Sequence, residues 1–321
     1  MLVTRRLMVY KIVVCNSCRL KLRVLRVWGI TTKCTPAGRL RKERGAWTLT
    51  AQRTSASQVN PDEAPDEFPC VLFEDKFGAR AKAHALQSLA IDINVSESVV
   101  DAWAHVLNDD LNFSLSGMPI RLFYVHTTVV DWMLTLETDP TGSRVSAFEC
   151  GLKSSLIGRH HLVDLHDFAM VFVPVLEVDH YYLVVFDLED ERIYLIDHSG
   201  DRGSGVLLRD SKTYILKTTP FKVKEIFVEY LKVMNYPKAT AMQSSVILRE
   251  DHPWSTIHRN ATPIVDSGVF AMRHMEQFMG SRRNFFYGFS VHGARKKDQC
   301  NYLRKRYAAE ILLSPVNKYG D

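Results

Sequence analysis

Three short runs of β-branched and aromatic residues crowd together in the middle of the chain and constrain its fold more than any other feature: Met170 to Leu176 (MVFVPVL), Tyr181 to Phe186 (YYLVVF) and Ile193 to Ile196 (IYLI). Their composition, short length and Asp/Glu-rich joins mark them as strands. Helical periodicity flanks them. Val99, Val100, Trp103, Val106 and Leu107 fall on one face after Asn94 and Ser96, either of which can cap the first turn, and this helix is expected to end near Asn108. Val223, Ile226, Phe227, Tyr230, Leu231 and Met234 repeat the pattern before Pro237. A third helix is expected from Ser267 to Met279, with Gly280 as the residue just past its end. Helices before and after a strand cluster predict a mixed α+β domain.

Charge separates this body from what precedes it. The net charge is +5, but twelve of the 41 Lys/Arg lie in residues 1–50 beside a single acid, Glu43, which makes that segment +11 and the remainder −6. Residues 1–50 are therefore expected to be a disordered basic tail. Residues 51–70 (QRTSASQVNPDEAPDEFP and its edges) read as a polar, Pro-bearing and acidic linker, and residues 90–315 as the folded domain. No repeat at a period of about 20 to 50 residues is visible. No stretch reaches the run of about 18 apolar residues that a membrane span needs. Met1 to Cys18 has the acid-free, Arg-bearing look of a targeting peptide, but Lys11 breaks its apolar run and basic residues continue past it. Six scattered cysteines do not form a disulfide framework, so a reducing compartment, nucleus or cytoplasm, is expected.

The joins carry the chemistry. YYLVVF and IYLI are linked by Asp187 to Arg192 and most simply form an antiparallel hairpin. Centring the turn between Leu188 and Glu189 sets His180 directly opposite Asp197, with Cβ atoms about 5 Å apart. A carboxylate there fixes the tautomer of an imidazole and favours its protonated form, as a general base in acyl transfer requires. Ordinary strand-end polar chemistry explains the same two residues. The pair gains meaning only with a nucleophile. The N-terminus of a helix favours a negative side chain there. Ser267, in IVDSGVF, opens the third helix; helix capping is the alternative reading of Asp266 and Ser267.

In order, the sequence reads VFVPVLEVDHYYLVVF, then IYLIDHS, then VDSGVFAMRHMEQFM. This resembles the SUMO and ubiquitin-like protein proteases (sentrin-specific peptidases), especially their diverged plant relatives, whose pattern runs VPV, His-aromatic, Asp-x-Ser and Asp-Cys-Gly-Val-Phe. The resemblance extends from about Asn94 to about Leu313. It implies a papain-like cysteine protease fold and cleavage after the Gly-Gly end of SUMO-like modifiers. His180 then falls at the general base, Asp197 at the orienting acid and Ser267 at the nucleophile.

Three departures bear on activity. The nucleophile is Ser, not Cys. A thiol can be stored as a thiolate, far below its free pKa of about 8.5, whereas a hydroxyl must lose its proton as it attacks. The family's oxyanion Gln stands six residues earlier, where this chain has Ala261; losing one such donor costs about 10²- to 10³-fold in rate. Asn260 would substitute only if the loop shifts. Tyr181 stands where the family has the Trp that walls the channel for the modifier's glycine tail, and it keeps a flat apolar surface.

Other clusters carry less. Cys15, Cys18 and Cys34 lack a fourth zinc ligand nearby. Arg39 to Arg44 has the charge of a nuclear localisation signal, and the tail offers nucleic acid only nonspecific phosphate contact. His160, His161 and His166, near Asp164 and Asp167, read as a polar loop. Neither Cys150 nor Cys300 precedes a clear helix with Gly behind it. No cofactor or metal is expected. The functional expectation is a ubiquitin-like-protease domain with impaired or absent catalysis; a working Ser267 isopeptidase, a modifier-binding pseudo-enzyme and a transposon-derived relic stand as alternatives.

Overall fold

The computed structural model describes residues 71–76, 78–109, 120–125, 143–155, 165–177, 180–197, 218–251, 265–280 and 294–320. The chain divides into Met1–Cys70 and Val71–Asp321. The expected basic tail and linker lie outside the described residues.

The second unit begins with a small antiparallel pair, β1 (Val71–Glu74) and β2 (Arg80–Lys82), and the short helix α1 (Ala83–Gln87). There follow α2 (Glu97–Asp109), β3 (Arg121–Phe123), α3 (Ser143–Ser155), β4 (Met170–Glu177), β5 (His180–Asp187) and β6 (Arg192–Asp197). Then come α4 (Thr218–Val233), α5 (Ala239–Ser244), β7 (Ile247–Asp251), α6 (Ser267–Gln277) and α7 (Ala294–Leu312). Strands β3 to β7 form one sheet in sequence order, antiparallel at β4/β5 and β5/β6 and parallel at its two outer pairs.

The near-continuous apolar runs have a physical cause: both faces of this sheet are covered, so alternation brings no polar residue into the strands. Met170, Phe172, Tyr181, Leu183, Val185, Tyr194 and Ile196 face a core completed by Val99 and Trp103 of α2, Val269 and Met272 of α6, and Leu303 and Tyr307 of α7. Their neighbours Val171, Val173, Tyr182, Val184, Phe186, Ile193 and Leu195 face the opposite core with Phe148 of α3 and Phe227 and Leu231 of α4. There the Phe186 and Phe227 rings stack with centroids 3.9 Å apart. Each such ring contributes about 1.5–3 kcal/mol through its burial.

Several boundaries differ from the sequence reading. At the start of α2 structure and sequence agree: Ser96, one of the two expected caps, stands just before Glu97, and its carbonyl accepts the Val99 and Val100 N–H groups. At the other end the buried Asn108 ties three elements together: its amide donates to the carbonyls of Phe123 (2.7 Å) and Ser155 (3.1 Å) and accepts the Phe123 N–H (2.9 Å). Helix α4 stops before Pro237, because Asn235 takes φ 51° while Tyr236 N–H reaches back to the Leu231 carbonyl. Helix α6 ends at Gln277, with Phe278 already extended; Gly280, at φ 87°, makes its turn later, where a Cβ would come within 2.7 Å of Met170. Arg121 of β3 caps that end, donating to the carbonyls of Met275, Glu276 and Phe278 at 2.8 to 3.3 Å.

The hairpin needs a correction. Asp187 pairs with Arg192 and Leu183 with Ile196, so the turn is centred one residue later than expected and the register is displaced by two. The cause is a four-residue loop, Leu188 to Glu191. Asp187 Oδ1 accepts the Asp190 N–H at 2.9 Å, and Glu191 adopts φ 55°, which together close a longer turn. A displacement of two preserves parity, so every side chain keeps its face. His180 is cross-strand from Glu177 of β4 and diagonal, not directly opposed, to Asp197.

Candidate active site

His180 is the first residue of β5 and Asp197 the last of β6, both at the same end of adjacent strands. The diagonal is short enough for an imidazole to span. His180 Nε2 lies 2.9 Å from Asp197 Oδ1, with the His side chain 16% exposed and the carboxylate 1% exposed. Asp197 is thus held in a buried place by the core around it, and His180 meets it from the rim. The carboxylate thus takes Nε2 of the ring. That is the reverse of Ser-His-Asp enzymes, whose carboxylate takes Nδ1.

The pair sets its own protonation. Burial works against the imidazolium, but the Asp197 charge and hydrogen bond, with Glu177 adding at longer range, outweigh it and raise the His180 pKa above its ordinary value. Glu177 is fixed in turn, accepting from Tyr182 Oη at 2.6 Å and Thr219 Oγ1 at 2.9 Å.

Ser267 is the first residue of α6 and is 3% exposed. Asp266 occupies the N-cap position but its side chain makes no capping bond to the helix. Capping by Asp266 therefore does not consume the first-turn N–H groups, which helix geometry points toward the space in front of Ser267. The following residue explains how close α6 sits to β5. A Cβ at Gly268 would lie 2.6 Å from Val95 Cβ and 3.3 Å from Tyr181 Cδ2. Only glycine permits this approach, and it seats the helix terminus against the residue beside His180. Tyr181 itself is buried, and its hydroxyl donates to the Val95 carbonyl at 3.1 Å.

Ala261 and Asn260, the expected oxyanion positions, lie outside the described residues, as do Cys15, Cys18, Cys34, His160, His161 and Asp164. His166 and Asp167 are exposed in a single 3₁₀ turn, His166 resting on the Tyr236 ring at 4.9 Å. No cluster of three metal-ligating side chains occurs among the described residues. Cys150 is exposed on α3 and Cys300 buried on α7; neither opens a helix.

Three residues around the site were not singled out in the sequence. His274, two turns beyond Ser267, is buried and pushed down to about 3 by that burial, with the nearby Asp197 charge working against it. Glu177 is the second carboxylate felt by His180. Arg304, wholly buried on α7, meets Asp266 at 2.8 Å. Heptad-like counting passes over Arg304 because a charge at a stripe position reads as solvent-facing.

No protein-family model and no curated protein matches the sequence. Solved structures do. The yeast Ulp1 protease domain, solved in complex with Smt3, the yeast orthologue of SUMO, superposes over 78% of this chain and 90% of that one with a TM-score of 0.51 at 14% identity. Ulp1 with its catalytic cysteine oxidised to a sulfenic acid covers 77% and 90% at a TM-score of 0.48 and 13% identity. The Chaetomium thermophilum Ulp1-like SUMO protease catalytic domain covers 76% and 82% at a TM-score of 0.43 and 14% identity. The chain shares the α+β fold of the yeast domain.

Proposed function

We propose that residues 71–321 form a SUMO-protease-type domain, of the diverged plant kind, that engages the Gly-Gly end of a SUMO-like modifier and is impaired in cleaving it. The observation that carries this is the 2.9 Å pair of His180 and Asp197 at one end of a sheet of Ulp1-like fold. Beside it, α6 begins with Ser267 where the family has its cysteine.

Each group has a defined task in such a site. Asp197 holds the ring by Nε2 and favours the imidazolium. Nδ1 accepts a proton from the nucleophile and returns it to the leaving amine. First-turn N–H groups of α6 stabilise the oxyanion. The arrangement suits a thiol, which the imidazolium and helix terminus keep ionised before substrate arrives. With Ser267 no anion is stored before attack, so the hydroxyl must pass its proton to the unprotonated form of His180 as it attacks. Ala261 withholds a further about 10²- to 10³-fold if it stands at the oxyanion position. Binding and catalysis are thereby separated, since the modifier's tail needs a channel and not a thiolate.

The retained base and acid also favour a second reading, a slow isopeptidase using Ser267. The test compares wild type, Ser267→Cys, and Ser267→Cys with Ala261→Gln on a SUMO-linked fluorogenic substrate, with SUMO affinity measured in parallel. The proposal expects affinity without turnover in wild type and graded recovery in the variants. Wild-type turnover that vanishes in Ser267→Ala establishes the second reading. No affinity and no recovery, in a protein that melts cooperatively, overturns both and leaves a relic.

A further inference from the structure

Arg304 is the largest fully buried side chain among the described residues, and every donor of its guanidinium is used. Nε donates to Asp266 Oδ1 at 3.0 Å, and one Nη2 bond reaches the same oxygen at 2.8 Å. A second Nη2 bond goes to the Val265 carbonyl at 2.7 Å, while Nη1 donates to the carbonyls of Ser88 and Ala90, each at 3.0 Å. A guanidinium has five N–H donors, so this one is saturated. A buried charge is tolerated only with such pairing, and the expense is notable on a helix that apolar residues would anchor.

What it joins explains the placement. The bonds to Asp266 and Val265 hold the turn that leads into Ser267. Those to Ser88 and Ala90 hold the segment before α2; Ser88 Oγ in turn accepts the Ser96 N–H at 2.8 Å. Val95, in that segment, touches Gly268 and accepts the Tyr181 hydroxyl. The ring of contacts closes around the first turn of α6. Charge is involved as well as geometry. A carboxylate at Asp266 opposes negative charge on its neighbour 267, and Arg304 is the buried cation against it; among the described residues the exposed Lys297, ion-paired with Asp92 at 3.0 Å, also acts on Asp266.

We propose that Arg304 is the positioning residue of the candidate active site: it fixes the turn from which Ser267 projects and cancels the negative charge of Asp266 beside it. This rests on the reading of Ser267 as the nucleophile position.

The full chain carrying Ser267→Cys gives a direct readout that needs no turnover. The rate at which the new thiol is alkylated by iodoacetamide, followed against pH by peptide mass spectrometry, reports its pKa; the thiolate displaces iodide from carbon. Arg304→Gln is expected to raise that pKa by about one unit and Asp266→Asn to lower it, with the double variant near the parent. Arg304→Lys, which keeps charge but loses the fork, is expected to leave the pKa near the parent while lowering the melting temperature. A role in stability alone moves melting temperatures without these opposed shifts.

An unchanged thiol pKa in a cooperatively melting Arg304→Gln variant overturns the proposal. If that variant does not fold, Asp266→Asn decides: a lowered pKa supports the proposal and no change overturns it. His180→Ala in the same background tests the site separately. A shift there with none from Arg304→Gln overturns the Arg304 role alone. A shift from Arg304→Gln with none from His180→Ala supports that role while removing His180 as the thiol's partner.

Discussion

His180 Nε2 and Asp197 Oδ1 meet at 2.9 Å along a diagonal of the β5/β6 hairpin, from positions that backbone pairing does not place opposite one another. The contact therefore depends on the imidazole reaching along the sheet, with its ring at the rim and the carboxylate buried.

That geometry predicts a titration. By NMR, the His180 imidazole titrates above its ordinary value of about 6.5, and Asp197→Asn brings it down. Glu177→Gln lowers it by less, since Glu177 acts by charge at longer range. An Asp197→Asn spectrum with an unmoved His180 titration contradicts the pairing.

Two histidines give stability opposite pH dependences. His180 has a raised folded pKa, so its contribution is full below the unfolded value of about 6.5 and is lost as pH rises through the folded value. His274, pushed down to about 3, contributes above about 6.5 and loses that contribution as pH falls toward 3. Urea melts should show an acid limb of up to about 1.4 kcal/mol per pH unit that flattens in His274→Phe. Persistence of the limb in that variant contradicts the assignment.

Gly268→Ala should destabilise the fold by about 1–3 kcal/mol, as overpacking does, because the new Cβ meets Val95 at 2.6 Å. Denaturant unfolding measures it. Val95→Ala in the same chain should recover part of the loss, and the absence of any recovery counts against the contact as its cause.

Much of this fold was legible in the sequence and some of it was hidden for physical reasons. Strands β4, β5 and β6 were readable because two covered faces leave unbroken apolar runs. Parity survived the wrong turn centre, so His180 and Asp197 were recognised as partners even though their register was not. The turn itself is hidden from strand patterning because Asp187 and Glu191 act through a side-chain bond and a positive φ. Helix α7 is masked in the sequence because ARKKDQCNYLRKRYAAEIL carries a buried Arg304 in the stripe of Cys300, Leu303, Tyr307 and Ile311. Strands β3 and β7 are short and charged, and they find their place only by pairing with neighbours.

Asn108 offers a test of the frame that supports the site. Asn108→Ala should cost about 2–4 kcal/mol by urea unfolding, since it strands the buried N–H and carbonyl of Phe123 and the Ser155 carbonyl. A loss below about 1 kcal/mol would mean that these groups find other partners.

The proposed site sets His180, Asp197 and the start of α6 around a position where serine stands in place of a thiol. A SUMO probe bearing a C-terminal electrophile measures this most directly, as covalent labelling detected by a mass increase. Labelling of Ser267→Cys, absent in wild type and lost again when His180→Ala is added, is the predicted result; a cooperatively folded Ser267→Cys variant that the probe leaves unlabelled contradicts it.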